Sequence, residues 1–149
     1  ILIHPQSIIH SMVKFSDTSV KAQLGIPDMK IPIQYALSWP ERFPSEWENL
    51  DLAKIGSLTF SEPDFERFPA IKLAYRAIEA GGTYPTVLNV CNEQAVYLFL
   101  KGKIPFTAIA DMTSKAMDKH ENISDPSIED ILFLEEKLIN YMKEEEDKL

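Results

Sequence analysis

The stretch Ser127-Ile-Glu-Asp-Ile-Leu-Phe-Leu-Glu-Glu-Lys-Leu-Ile-Asn-Tyr-Met142 decides the fold class. Ile128, Ile131, Leu134, Leu138, Tyr141 and Met142 recur at helical spacing, and Ser127 with Asp130 three residues on supplies an N-cap followed by an acidic first turn. A surface helix with one buried stripe needs neighbours to bury it against, and three more helical patterns precede it. Pro69 sits where an N1 proline would, Ile71, Ala74, Tyr75 and Ile78 form a stripe, and Gly81-Gly82 gives a left-handed stop. A second helix runs from about Thr86 to Lys101 and ends at Gly102. A third starts near Thr107 as N-cap and carries Ile109, Met112 and Ala116 on one face up to about His120. Four helices joined by short loops predict a small bundle.

Upstream the periodicity changes. Residues 8–15 and 19–24 flank the turn-forming Ser16-Asp-Thr18, and Val20, Ala22 and Leu24 alternate with Lys21 and Gln23, so an antiparallel hairpin with one wet face is expected, ending at Gly25. Pro27-Asp-Met-Lys-Ile-Pro32 reads as a turn followed by a short helix with Ile33, Ala36 and Leu37 at helical spacing, stopped by Pro40. Residues 41–69 are rich in proline and aromatic residues and contain one strand-like run, Ser57-Leu-Thr-Phe60. They predict an ordered linker whose aromatics pack on neighbours.

Composition narrows function by exclusion. The 149 residues carry 15 basic and 23 acidic side chains, a net charge of −8, with no cationic face for nucleic acid. Residues 1–50 hold four basic and five acidic side chains, so nearly all of the excess falls on residues 51–149, which suggests two parts. The longest wholly apolar run, Ala95 to Leu100, falls far short of the ~20 residues that span a bilayer, so no membrane association is expected. Five scattered glycines build no phosphate-gripping loop. The single cysteine, Cys91, lies in an apolar helical stretch and reads as a small buried hydrophobe. The chain opens on Ile1-Leu-Ile, as if cut from the inside of a longer protein.

The chemistry-bearing residues are few. His4 and His10 stand six apart on extended chain, a spacing that does not converge two imidazoles on a metal. His10 is open to two readings, a polar residue at the edge of a pocket or a satisfied core histidine. His120 reads as a helix-end cation. Asn89, Asn92 and Glu93 look like a constellation, yet polar residues at this spacing near a helix start more often serve as caps and inter-helix hydrogen bonds. Residue chemistry alone assigns no catalytic residue and no metal ligand.

Five ordered blocks go further. Residues 2–13 (LIHPQSIIHSMV), 22–33 (AQLGIPDMKIPI), 58–60 (LTF), 68–74 (FPAIKLA) and 88–93 (LNVCNE) closely resemble the C-terminal portion of the 1-deoxy-D-xylulose 5-phosphate reductoisomerase family. The resemblance implies an α+β fragment, mainly α: a β-hairpin remnant of a catalytic-domain sheet in residues 1–47, a linker in 48–68 and a C-terminal four-helix domain in 69–149. It implies an enzyme that uses NADPH and Mg²⁺ or Mn²⁺ to rearrange and reduce a sugar phosphate to 2-C-methyl-D-erythritol 4-phosphate in isoprenoid synthesis, working as a cytoplasmic or plastid homodimer. The family's dinucleotide-binding glycines, metal ligands and phosphate contacts match nothing here, and its upstream domains would have to supply them. What does match is His10, Pro27 and Met29, implied to line the substrate pocket, with Met29 also against the nicotinamide. Lys30 stands where the family frequently has Arg. A freestanding helical interaction module without catalysis is the competing expectation.

Overall fold

A computed structural model describes residues 1–147, which form two compact units, Ile1–Pro63 and Asp64 onward. In the first unit, β1 (Ile9–Lys14) and β2 (Val20–Leu24) pair antiparallel. Their loop is built by Asp17, whose carboxylate accepts the Ser19 N–H at 2.9 Å and its hydroxyl at 2.6 Å, while Thr18 takes the left-handed conformation at φ 72°. Those two bonds also hold the Asp17 carboxyl below its ordinary pKa. The hairpin forms as expected, but its faces do not. All five residues of β2 are exposed, including Val20, Ala22 and Leu24, because no other element of this unit packs on either face.

α1 (Lys30–Ser38) follows, with Pro32 in its first turn, where its missing N–H costs no helical bond. α2 (Leu52–Ile55) is a single turn that sequence periodicity did not reveal, and it exists because the Asp51 carboxylate caps the N–H groups of Ala53 and Lys54. The run 57–60 is not a strand. Its neighbour Ser61 instead makes a two-bond antiparallel bridge with Ile3.

The second unit is the four-helix bundle: α3 (Ala70–Ala80), α4 (Tyr84–Leu100), α5 (Phe106–Lys119) and α6 (Ile128–Glu146). α4 packs against the other three, and its Val87, Val90, Cys91, Ala95 and Leu98 form the middle of a continuous core completed by Ala77, Ile109, Ala116, Met117, Leu134, Leu138 and Met142. The overall class is therefore the expected one, mainly helical with a small hairpin.

Details differ. In α3 the buried residue is Ala77 with Leu73 beside it, whereas Tyr75 and Ile78 face solvent; the small Ala77 suits a close approach to α4, and the larger side chains of the expected stripe are left outside. α5 begins at Phe106, one residue before the expected cap, because Pro105 at φ −73° and ψ 160° fixes the extended entry. The α6 start is the expected one, a reciprocal capping box between Ser127 and Asp130.

Candidate functional site

One residue in β1 has no strand partner. The register passes from Ile9 opposite Leu24 directly to Ser11 opposite Gln23, so His10 is the extra residue of a β-bulge, a device that re-aims a side chain. Beyond β2 the chain turns through Pro27-Asp28-Met29 into α1. Asp28 makes that turn: its N–H reaches the Ile26 carbonyl at 2.7 Å, its carboxylate accepts the Lys30 N–H at 2.9 Å, and its carbonyl accepts from Ile31. Met29 is thus the N-cap residue of α1, and no side chain of its own closes the helix end.

Bulge and turn meet at a cavity of about 490 Å³ lined by His10, Pro27 and Met29 together with Ser7, Tyr35 and Arg42. All three residues singled out from the sequence therefore border one space. Pro27 and Met29 contribute apolar surface to a largely apolar lining, and Met29 leaves 70% of its surface open. Among the same lining residues the Arg42 guanidinium lies 3.9 Å over the Tyr35 ring, which braces the cation without neutralising it. Tyr35 stands six residues after Met29 and two turns into the helical pattern, a signal that could have found it. Arg42 lies in the irregular segment after Pro40 and carries none. Lys30 pairs with Asp28 at 3.6 Å on the exposed side of the turn.

The remaining candidates do not line this cavity. His4 uses both ring nitrogens inside its own unit, and no group of three His, Cys, Asp or Glu side chains that could hold a metal occurs among the described residues. Asn89, Asn92 and Glu93 are exposed on α4 and do not serve as the expected caps or inter-helix bonds among the described residues; Glu93 accepts from the Tyr97 hydroxyl one turn on in the same helix. Cys91 is fully buried, which pushes its thiol up to about 11 and leaves it unreactive.

His120 is not the helix-end cation it resembled. Its Nε2 lies 2.7 Å from the Oγ1 of the buried Thr83, and burial, reinforced by Lys137 and opposed by Glu121, holds it below its ordinary 6.5. It is a neutral member of a clasp in which Thr83 also bonds Asn122 and Ile123.

A bulged hairpin and a proline–methionine turn bordering one cavity, in a chain whose other unit is a four-helix bundle, define the class: a mainly helical chain with a small α+β unit that carries the candidate site. The particular family follows from comparison with known proteins. The DXP reductoisomerase C-terminal domain profile matches residues 24–141, and the chain belongs to that family.

Among similar proteins, the 1-deoxy-D-xylulose 5-phosphate reductoisomerase of Chloroherpeton thalassium is 50% identical over the whole chain, which covers 38% of that protein. That of Gloeobacter violaceus is 54% identical over 88% of the chain and 33% of its own length. The chain thus spans about a third of the length of the curated relatives it matches. A solved 1-deoxy-D-xylulose 5-phosphate reductoisomerase from Zymomonas mobilis, in complex with NADPH, superposes with a TM-score of 0.92 at 41% identity, covering 99% of this chain and 39% of that one. A DOX-P reductoisomerase in complex with magnesium superposes at 0.89 and 38% identity, covering 98% and 39%.

Proposed function

We propose that this chain is the C-terminal part of an NADP-dependent oxidoreductase that converts 1-deoxy-D-xylulose 5-phosphate to 2-C-methyl-D-erythritol 4-phosphate with NADPH and Mg²⁺ or Mn²⁺. In this reading residues 1–47 complete a catalytic domain, 48–68 link, and 69–149 form the helical domain. The observation that carries it is the convergence of His10, Pro27 and Met29 on one cavity in a chain of this family.

The residues present fit the cofactor in part. Pro27 and Met29 offer an apolar ring and a polarisable thioether, surfaces that pack a flat nicotinamide face and exclude water without offering it a competing proton. When bound, NADPH supplies the hydride that reduces the rearranged carbonyl. His10, re-aimed by the bulge, can hydrogen-bond a hydroxyl of the sugar phosphate and so fix its orientation. The metal is different. The described residues gather no ligand set for it, so no step of the mechanism runs through a metal on this chain.

The upstream domains of the same enzyme then supply the metal ligands and phosphate contacts, and the working assembly is a homodimer in the cytoplasm or a plastid. This chain by itself is inert. Calorimetric titration of the isolated chain with NADPH and Mn²⁺ is expected to show no micromolar binding and no turnover, whereas the full-length protein binds both and turns over. Micromolar binding to the isolated chain, or a full-length protein without reductoisomerase activity, overturns the proposal.

A further inference from the structure

His4 lies outside the cavity lining, yet its imidazole is held by two hydrogen bonds and a ring stack. Its Nε2 accepts the Ile8 N–H at 3.1 Å, so that nitrogen carries no proton, and Nδ1 must therefore bear the proton it gives to the Thr59 carbonyl at 2.9 Å. The ring is neutral and held in one tautomer. It also stacks on Phe60, with centroids 4.7 Å apart and planes 15° apart.

The acceptor on the far side is itself anchored. Thr59 exchanges hydrogen bonds with the Gln6 amide at 2.8 and 3.2 Å, and Ser61 bridges to Ile3, so Ile3, His4 and Gln6 are all tied to Thr59 or Ser61. Next to Gln6, Ser7 is held at φ 52°, a left-handed conformation that an unconstrained serine rarely adopts. Ile8 then passes the constraint on: it is buried, and its carbonyl accepts the Gly25 N–H at 3.0 Å. That bond closes the hairpin two residues before His10 on one strand and two residues before Pro27 on the other.

We infer that His4 is a positioning residue of the cavity: through the Ile8 N–H it fixes the base of the hairpin, and thereby the bulge that aims His10 and the turn that carries Met29. The kinetic half of this inference rests on the reductoisomerase reading; the tautomer does not. A ring that accepts at Nε2 and donates at Nδ1 has no isostere among the other side chains, since Gln or Asn reaches only one of the two partners and Phe keeps only the stack.

The test uses the full-length enzyme. Nitrogen-15 spectra of labelled histidine should show His4 with a protonated Nδ1 and an unprotonated Nε2; a protonated Nε2 overturns the clamp whatever the enzyme's activity. His4→Phe should then raise KM for the sugar phosphate by roughly tenfold, with the metal dependence unchanged. In a His10→Gln background the same change should cost clearly less, roughly threefold or under, because the share of the effect that runs through His10 is already lost and only the share carried by the Met29 turn remains. His4→Gln, which keeps an acceptor for Ile8, should recover part of the loss, and it replaces His4→Phe in the cycle if that variant does not fold. Equal losses in both backgrounds, or a wild-type KM in a folded His4→Phe enzyme, contradict the inference. A parent enzyme without reductoisomerase activity sinks the functional reading alone and leaves the nitrogen spectrum to judge the clamp.

Discussion

Gly82 is where a single atom decides most. It sits at φ +55°, and a Cβ there would stand 2.3 Å from the Ile123 carbonyl and 2.5 Å from Asn122 Oδ1, inside the clasp formed around Thr83. Gly102, at φ +71°, has open space around the same position. Gly102→Ala should therefore cost about 1 kcal/mol for the left-handed backbone alone. Gly82→Ala should cost clearly more, ~3 kcal/mol, because the clasp must also shift; equal midpoints in thermal unfolding would refute the difference. His120 in the same clasp makes a pH prediction. Its folded-state pKa lies below 6.5, so the unfolded chain takes the proton more readily, and the stability it contributes is full above about 6.5 and lost as the pH falls below that value. Unfolding curves at pH 7.5 and 5 should separate in the wild type and draw together in His120→Gln. The histidine was visible in the sequence but its partner was not, because Thr83 lies 37 positions away and only the packed loop brings the two together.

Helix starts show why some elements could be read and others could not. The α6 cap is a local matter: Ser127 and Asp130 satisfy each other's backbone within four residues, so the sequence carries the whole signal. Removing it in Ser127→Ala should lower stability by ~1 kcal/mol with the denaturant slope unchanged. Thr107→Ala should stay within about 0.5 kcal/mol, since Thr107 is exposed inside α5 and caps nothing. A reversed order of these two midpoints would show that the capping geometry is wrong. The α3 stripe and the wet face of β2 were less legible. Apolar periodicity says that a face can be buried, and only the tertiary partners say whether it is; α4 selects Ala77 over Ile78, and β2, paired edge to edge with β1, has no element of its unit packed on either face.

At the scale of the molecule, the sequence words around His10 and Met29 carried the family, and the cavity brings those residues to one place by a bulge and a turn. Tyr35 joined it from the face of a helix the sequence did show, and Arg42 from an irregular segment that no motif marked. The role assigned to the turn is apolar packing without ligation, and that role has a distinct kinetic signature. Steady-state kinetics of Met29→Ala in the full-length enzyme is the direct measurement. Lost packing against the reacting groups should lower kcat/KM by roughly ten- to a hundredfold, ~1.4 to 2.7 kcal/mol, while the dependence on Mg²⁺ or Mn²⁺ stays that of the wild type. Wild-type kcat/KM in Met29→Ala, or a shifted metal dependence, would contradict the placement of this chain as an apolar wall of the reductoisomerase active site.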